Sequence, residues 1–324
     1  MQGAHGVLKD GTRRRSFLRA CVGVSAGVIA AGLRCEVLAT DLGGADNDGR
    51  FGKTDLSCLP PLFCTAYITP DAPGQGGQEA AVARYPLALV PQDARHPFLK
   101  WRNQVKELNP SILMLGYQMV IEETNVPGPG HDQLRRVRDA WCTYPGGFIP
   151  TVPGKPSGNR SRIYDPRKKE WQEGFLAACR ATLASYPYHG LLLDQCTVFQ
   201  RAHILESVRA EMRQALQETL LQLRHEFPDT LLVGNSSYNW SALNGEMNEG
   251  RFRDLESQFT PYERHASPRL LLYQSMIHST AEFMTVQREM DAAHAVGALY
   301  GVSIDYQHVL WFDFFDALAK RCGK

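Results

Sequence analysis

The sequence lacks a surplus of charge of either sign: 35 Lys and Arg stand against 34 Asp and Glu, a net of +1. That leaves no electrostatic footprint for a nucleic acid backbone, so no nucleic acid partner is expected. It has 8 cysteines but no CxxC pair, which argues against a zinc ribbon. It has no His pair at metal-ligand spacing, no GxSxG elbow and no Gly-rich phosphate loop after the first apolar run. No metal and no cofactor is therefore expected. The uncharged stretch Ala20–Leu33 is only fourteen residues long, short of the roughly 20 that span a bilayer. What remains is 44% hydrophobic and 21% charged, a composition that excludes a disordered, fibrous or coiled-coil protein.

The even balance of charge hides an asymmetry. Residues 1–39 carry six basic residues and two acidic ones, a balance of +4, followed by a remainder of −3. A charged segment, an apolar segment and a small-residue end at Val37-Leu38-Ala39 have the form of an export signal. Within it, Arg14-Arg15-Ser16-Phe17-Leu18-Arg19 resembles the twin-arginine motif. That resemblance implies a bacterial protein exported folded to the periplasm or beyond, with cleavage after Ala39 and no stable membrane insertion afterwards. Residues 40–59 read as a polar, Gly/Asp-rich lead-in, and 60–324 as the folded domain. Six cysteines lie beyond residue 39: Cys58, Cys64, Cys142, Cys179, Cys196 and Cys322. An oxidising compartment permits disulfides, but sequence does not choose a pairing. Cys58 and Cys64 are near enough to pair locally, although Cys64 falls in an expected strand. Buried free thiols are an equal expectation for Cys179 and Cys196.

From Pro60 onward, short apolar runs alternate with longer amphipathic segments. The runs are Phe63–Ile68, Leu87–Val90, Ile112–Gln118, Gly190–Asp194, Thr230–Asn235, Gly245–Glu249, Leu270–Gln274 and Leu299–Ser303. Continuous apolar runs suit strands buried on both faces of a parallel sheet. Helices are predicted over His96–Leu108, Lys168–Tyr186, Ile204–Phe227 and Thr280–Ala295. Eight strand candidates alternating with helices predict an α/β fold, a single (β/α)8 barrel, over its rival, a doubly wound sheet, which a Gly-rich phosphate loop after the first strand would favour. One connection is too long: between the third and fourth strands, Val126–Gly158 holds twelve Gly or Pro in thirty-three positions. Such a loop is expected to lie over the C-terminal end of the barrel, with Trp141 a candidate platform for a sugar ring.

Barrel enzymes build their chemistry from the C-terminal ends of several strands. The candidates there are Tyr67, Gln92, Gln118, Asp194, Asn235, Glu249, Gln274 and Asp305. Carboxylates among neutral hydrogen-bonding groups are what glycoside hydrolysis needs: one acid for the leaving oxygen and one nucleophile or base. The sharpest signal is Asp194, which closes the apolar run Leu191-Leu192-Leu193. A charge there is costly in a core, so it should emerge at the barrel mouth. Helix capping or pairing with an arginine is the alternative role for it. Glu249 is the second catalytic candidate.

Several stretches resemble known sequences. Tyr188-His189-Gly190-Leu191-Leu192-Leu193-Asp194-Gln195, Arg162-Ile163-Tyr164-Asp165-Pro166 before Trp171, Leu232-Val233-Gly234-Asn235, Leu243-Asn244-Gly245-Glu246-Met247-Asn248-Glu249 and Trp311-Phe312-Asp313-Phe314-Phe315-Asp316 are similar to segments of the endo-α-1,4-polygalactosaminidase-like hydrolases and related glycosyl-hydrolase-like families. That resemblance implies a barrel glycosidase with Asp194 and Glu249 as its carboxylates, Asp194 as nucleophile or base and Glu249 as acid. Glu246, close by in sequence, competes for the acid role. Gln118, Asn235, Tyr238, Gln274, Asp305 and Tyr67 are expected to contact sugar, as is Glu246 if it is not the acid. The expected partner is a carbohydrate polymer or oligosaccharide. A carbohydrate-binding protein on an inactive barrel is the alternative. An ester or amide hydrolase would need an activated nucleophile, and Cys196 has no His placed by sequence to serve it.

Overall fold

Each of the eight apolar runs forms a strand. The computed structural model describes residues 60–66, 78–122, 127–137, 141–142, 163–197, 204–235, 241–250, 265–277, 279, 282–304 and 308–321. The expected leader and lead-in lie outside them. In chain order the elements are β1 (Cys64–Thr65), α1 (Glu79–Val82), β2 (Leu87–Val90), α2 (His96–Leu108) and β3 (Leu113–Met119). Next come α3 (Pro129–Leu134), β4 (Trp141–Cys142), β5 (Ile163–Tyr164), α4 (Lys169–Ser185), β6 (Gly190–Asp194) and α5 (Glu206–Glu226). The rest are β7 (Leu231–Asn235), β8 (Gly245–Gly250), β9 (Leu272–Met276), α6 (Phe283–Ala295), β10 (Leu299–Ile304), β11 (His308–Val309) and α7 (Asp313–Arg321).

Strands β1, β2, β3, β6, β7, β8, β9 and β10 are hydrogen-bonded in that order, every pair parallel. The ring closes where the Phe63 N–H donates to Tyr300 O at 3.0 Å and the Tyr300 N–H donates to Pro61 O at 2.9 Å. This is the expected (β/α)8 barrel. Side chains alternate across its wall, as a period of two requires. Phe63, Leu87, Leu89, Leu113, Leu115, Leu192, Leu231, Val233, Met247, Leu270 and Leu272 fill the inside. Ala88, Val90, Met114, Leu191, Leu193 and Leu232 join the outer core, which also takes Trp171, Phe175, Met212 and Leu216 from α4 and α5. Gly190 opens β6 where a Cβ would sit 2.0 Å from Leu231 O, so only glycine allows β7 to approach there.

Three local features add to the strand pattern. The Gly/Pro-rich connection is not structureless: α3 lies within it, and β4 pairs antiparallel with β5. Pro129 occupies the first helical position of α3 after Gly128, where a missing N–H costs nothing, so the proline there starts a helix instead of breaking one. The tail Trp311–Asp316 begins α7, whose Phe315 packs edge-on against Tyr85 at 6.5 Å between ring centroids. Cys64 is a buried free thiol within β1, and Cys58 lies outside the described residues. Cys179 and Cys196 are likewise buried free thiols. Among the described residues, no helix is long and apolar enough to cross a membrane.

Candidate active site

Asp194 ends β6 on the inward side, two residues after the core residue Leu192. Its carboxylate meets three donors. The Tyr117 hydroxyl donates to Oδ2 at 2.6 Å, while Asn235 Nδ2 and the Gln195 N–H each donate to Oδ1 at 2.8 Å. Each donor has a structural reason to be there. Tyr117 shares the inward face of β3 with Leu113 and Leu115, and Met119 two residues on is in register with Asp194. Asn235 is the last residue of β7, on the inward face with Leu231 and Val233. Gln195, directly after that carboxylate, takes a left-handed backbone, φ 58°. That conformation is uncommon for a residue other than glycine or asparagine.

Burial pushes the Asp194 carboxyl above its ordinary range, while the hydrogen bonds from Tyr117, Gln195 and Asn235 pull it back in part. The Tyr117 phenol is pushed far up by burial, by the Asp194 charge and its hydrogen bond, and by the charge of Glu249. Its proton therefore stays on the ring oxygen, and it acts as a donor. Glu249 is exposed and shares the inward face of β8 with Met247, two residues before it. Since β6 and β8 are two strands apart, their backbones lie about 10 Å apart across the sheet.

The remaining candidates divide. Gln118 does not reach the mouth: it is fully buried, facing α4, with Oε1 3.0 Å from the Thr182 hydroxyl and 3.2 Å from Gln92 Nε2. Its neighbour Tyr117 is the residue of β3 that faces the site. Strict alternation from Leu113 and Leu115 carried that signal; the more polar Gln118 obscured it. Glu246 is buried on the face of β8 opposite Met247, away from the inward side. Gln274 faces inward but is fully buried and spent on protein partners. Its Oε1 accepts from the Thr65 hydroxyl at 2.7 Å and its Nε2 donates to Ser303 Oγ at 3.1 Å. Gln92 is also buried, bonded to Tyr117 O at 2.8 Å and to the Gly130 N–H at 2.7 Å. Tyr67, Tyr238 and Asp305 lie outside the described residues, as does the side chain of Trp141. Cys196 is fully buried, and burial pushes its thiol well up, opposite to what a thiolate nucleophile needs. His189 precedes β6 at the far end of the barrel, accepting from the Met114 N–H at 3.1 Å. Among the described residues, no group of three or more His, Cys, Asp or Glu could hold a metal.

The chain shares its fold with a bacterial glycoside hydrolase domain. That domain, of PelA from Pseudomonas aeruginosa, is 14% identical, with a TM-score of 0.50 over 76% of this chain and 95% of that one. Aspergillus fumigatus Ega3, solved with galactosamine, gives 7% identity and a TM-score of 0.48 over 76% and 92%. The PgaB glycoside hydrolase domain of Bordetella bronchiseptica gives 11% and 0.45 over 81% and 96%. No family model matches the sequence, and no curated protein matches it. At such identities the likeness is one of fold.

Proposed function

We propose that the protein is an exported glycoside hydrolase that cleaves a polysaccharide, with Asp194 and Glu249 as its carboxylate pair. The observation that carries this reading is the setting of Asp194: a nearly buried carboxyl at the C-terminal end of a barrel strand, held by three donors. The donors favour the ionised form against the burial that pushes the carboxyl up, and nucleophile or base is the role we assign to it. Glu249, on the inward face of β8 with Met247, is the second carboxyl, to which we assign the acid role. The two residues stand on the inward faces of strands two apart, with Glu249 two residues beyond Met247, the β8 residue paired with Asn235; a carboxyl separation of about 5–10 Å is what glycoside hydrolysis requires of them. An amino-sugar polymer is the substrate class we favour. The short motifs around Asp194 and Glu249 resemble polygalactosaminidase-like sequences, and the chain beyond residue 39 is mildly acidic at −3, which suits a cationic chain better than an anionic one. Export rests on Arg14 and Arg15 with the small-residue end at Ala39.

The test is depolymerisation of a panel of polysaccharides that includes deacetylated amino-sugar polymers. Asp194→Asn and Glu249→Gln should each lower kcat by about 100-fold or more on the responsive glycan, with binding retained. Full activity in either variant removes that residue from the mechanism. Binding by the wild type without turnover makes the protein a carbohydrate binder. Replacing Arg14 and Arg15 by lysine should hold the protein in the cytoplasm; unchanged export would remove the twin-arginine assignment.

A further inference from the structure

Behind Asp194 lies a polar cluster that the proposed chemistry does not use. Gln92, Gln118, His131 and Thr182 are all buried between the barrel and the helices α3 and α4. Burying polar side chains where apolar ones would pack is costly unless all are paired, and it then enforces one arrangement. The arrangement enforced here is that of Tyr117. Gln92 Nε2 donates to the Tyr117 carbonyl at 2.8 Å, while Gln92 Oε1 accepts from the Gly130 N–H of α3 at 2.7 Å. His131, also on α3, accepts from the Met119 N–H through Nε2 at 3.0 Å. Its ring stands edge-on to the Tyr117 ring at 5.7 Å. The close approach of α3 depends on Gly130, where a Cβ would sit 2.1 Å from Thr182 Oγ1 and 2.7 Å from Ala178 O.

We propose that Tyr117 is the positioning residue of Asp194, and that α3 holds Tyr117 in place through His131 and Gln92. The Gly/Pro-rich excursion would thereby brace the site from behind. This rests on the reading of Asp194 as a catalytic carboxylate. Tyr117→Phe removes one oxygen and keeps the ring against His131. Its first readout needs no substrate: titration of the Asp194 carboxyl by carbon NMR of labelled aspartate. Loss of a donor to a charged group should raise that titration by about one pH unit. On the responsive glycan, kcat should fall about 10-fold to 100-fold with KM within about twofold. The acid limb of the kcat profile should move up by the same amount as the titration. His131→Gln should shift both readouts in the same direction by less.

An Asp194 carboxyl that titrates alike in wild type and Tyr117→Phe overturns the proposal. Unchanged kcat and titration in His131→Gln, with both altered in Tyr117→Phe, overturns the part given to α3. A shifted titration in a protein that turns over no glycan overturns the hydrolase reading and supports the Tyr117–Asp194 coupling.

Discussion

Between β3 and β8, Tyr117, Asn235 and the Gln195 amide all donate to one carboxylate. On the seam of β9, β10 and β1, Thr65 donates to Gln274 and Gln274 donates to Ser303, and all three are buried. Both groups are polar, inward-facing and drawn from barrel strands. They differ in arithmetic. A neutral amide has both donors and acceptors, so Gln274 can be satisfied by two hydroxyls and closed over. An ionised carboxylate has only acceptors, and burial still pushes Asp194 up despite three donors. On the proposed reading, polarity on a barrel strand marks chemistry where the donors converge on a residual charge. Where partners cancel, it marks packing.

The comparison breaks most visibly if the two sides respond alike to substitution. Asp194→Asn and Glu249→Gln should cost about 100-fold or more in kcat with the fold intact. Gln274→Leu should do the reverse. It strands the Thr65 hydroxyl and takes a donor from Ser303 Oγ, so stability should fall by about 1–3 kcal/mol in urea denaturation. The kcat/KM of the folded fraction should stay within about twofold of wild type. A Gln274→Leu protein of normal stability but altered KM would return Gln274 to the substrate.

That contrast also shows how far the sequence could be read. The eight strands were legible because continuous apolar runs, such as Leu87–Val90 and Gly190–Asp194, have few other uses. Both are the observed spans of β2 and β6. Asp194 was legible because a charge ending such a run must have somewhere to go. Gln118 and Glu246 misled because polarity was weighed above parity: each sits one residue from an inward-facing neighbour, Tyr117 or Met247. Helix α3 was hidden because proline and glycine were counted as loop formers, although Pro129 sits at a helical first position. The saturation of Gln274 depends on Thr65, 209 residues away. No local pattern carries a contact of that range.

A second measurement sharpens the comparison through pH. The folded protein raises the Asp194 pKa by burial, so it disfavours the ionised form relative to the unfolded chain. The contribution of Asp194 to stability is therefore fully present below the unfolded carboxylate value and is lost as pH rises through the folded one. Asp194→Asn removes that dependence and nearly preserves shape. Its melting temperature should exceed that of wild type at pH 7, and the gap should narrow as pH falls below the carboxylate range. A gap that widens in acid would mean the three donors outweigh burial. Gln274→Leu should show a deficit that pH does not change through this range.

The smallest expected effect concerns the turn that completes the Asp194 side. Gln195 holds φ at 58°, where a side chain with a Cβ costs about 1–2 kcal/mol. Strain of this kind persists only where the surroundings over-determine it, and it concentrates at functional sites. Here it falls at the residue whose N–H donates to Asp194 Oδ1. Asparagine enters that region more readily than glutamine, so Gln195→Asn should relieve part of the strain without losing the donor. The melting temperature should rise slightly, by a stabilisation of at most about 1 kcal/mol, with kcat unchanged. If kcat falls while the melting temperature rises, the Gln195 side chain is itself part of the site. The strained turn would then serve to present that side chain as well as to hold the carboxylate.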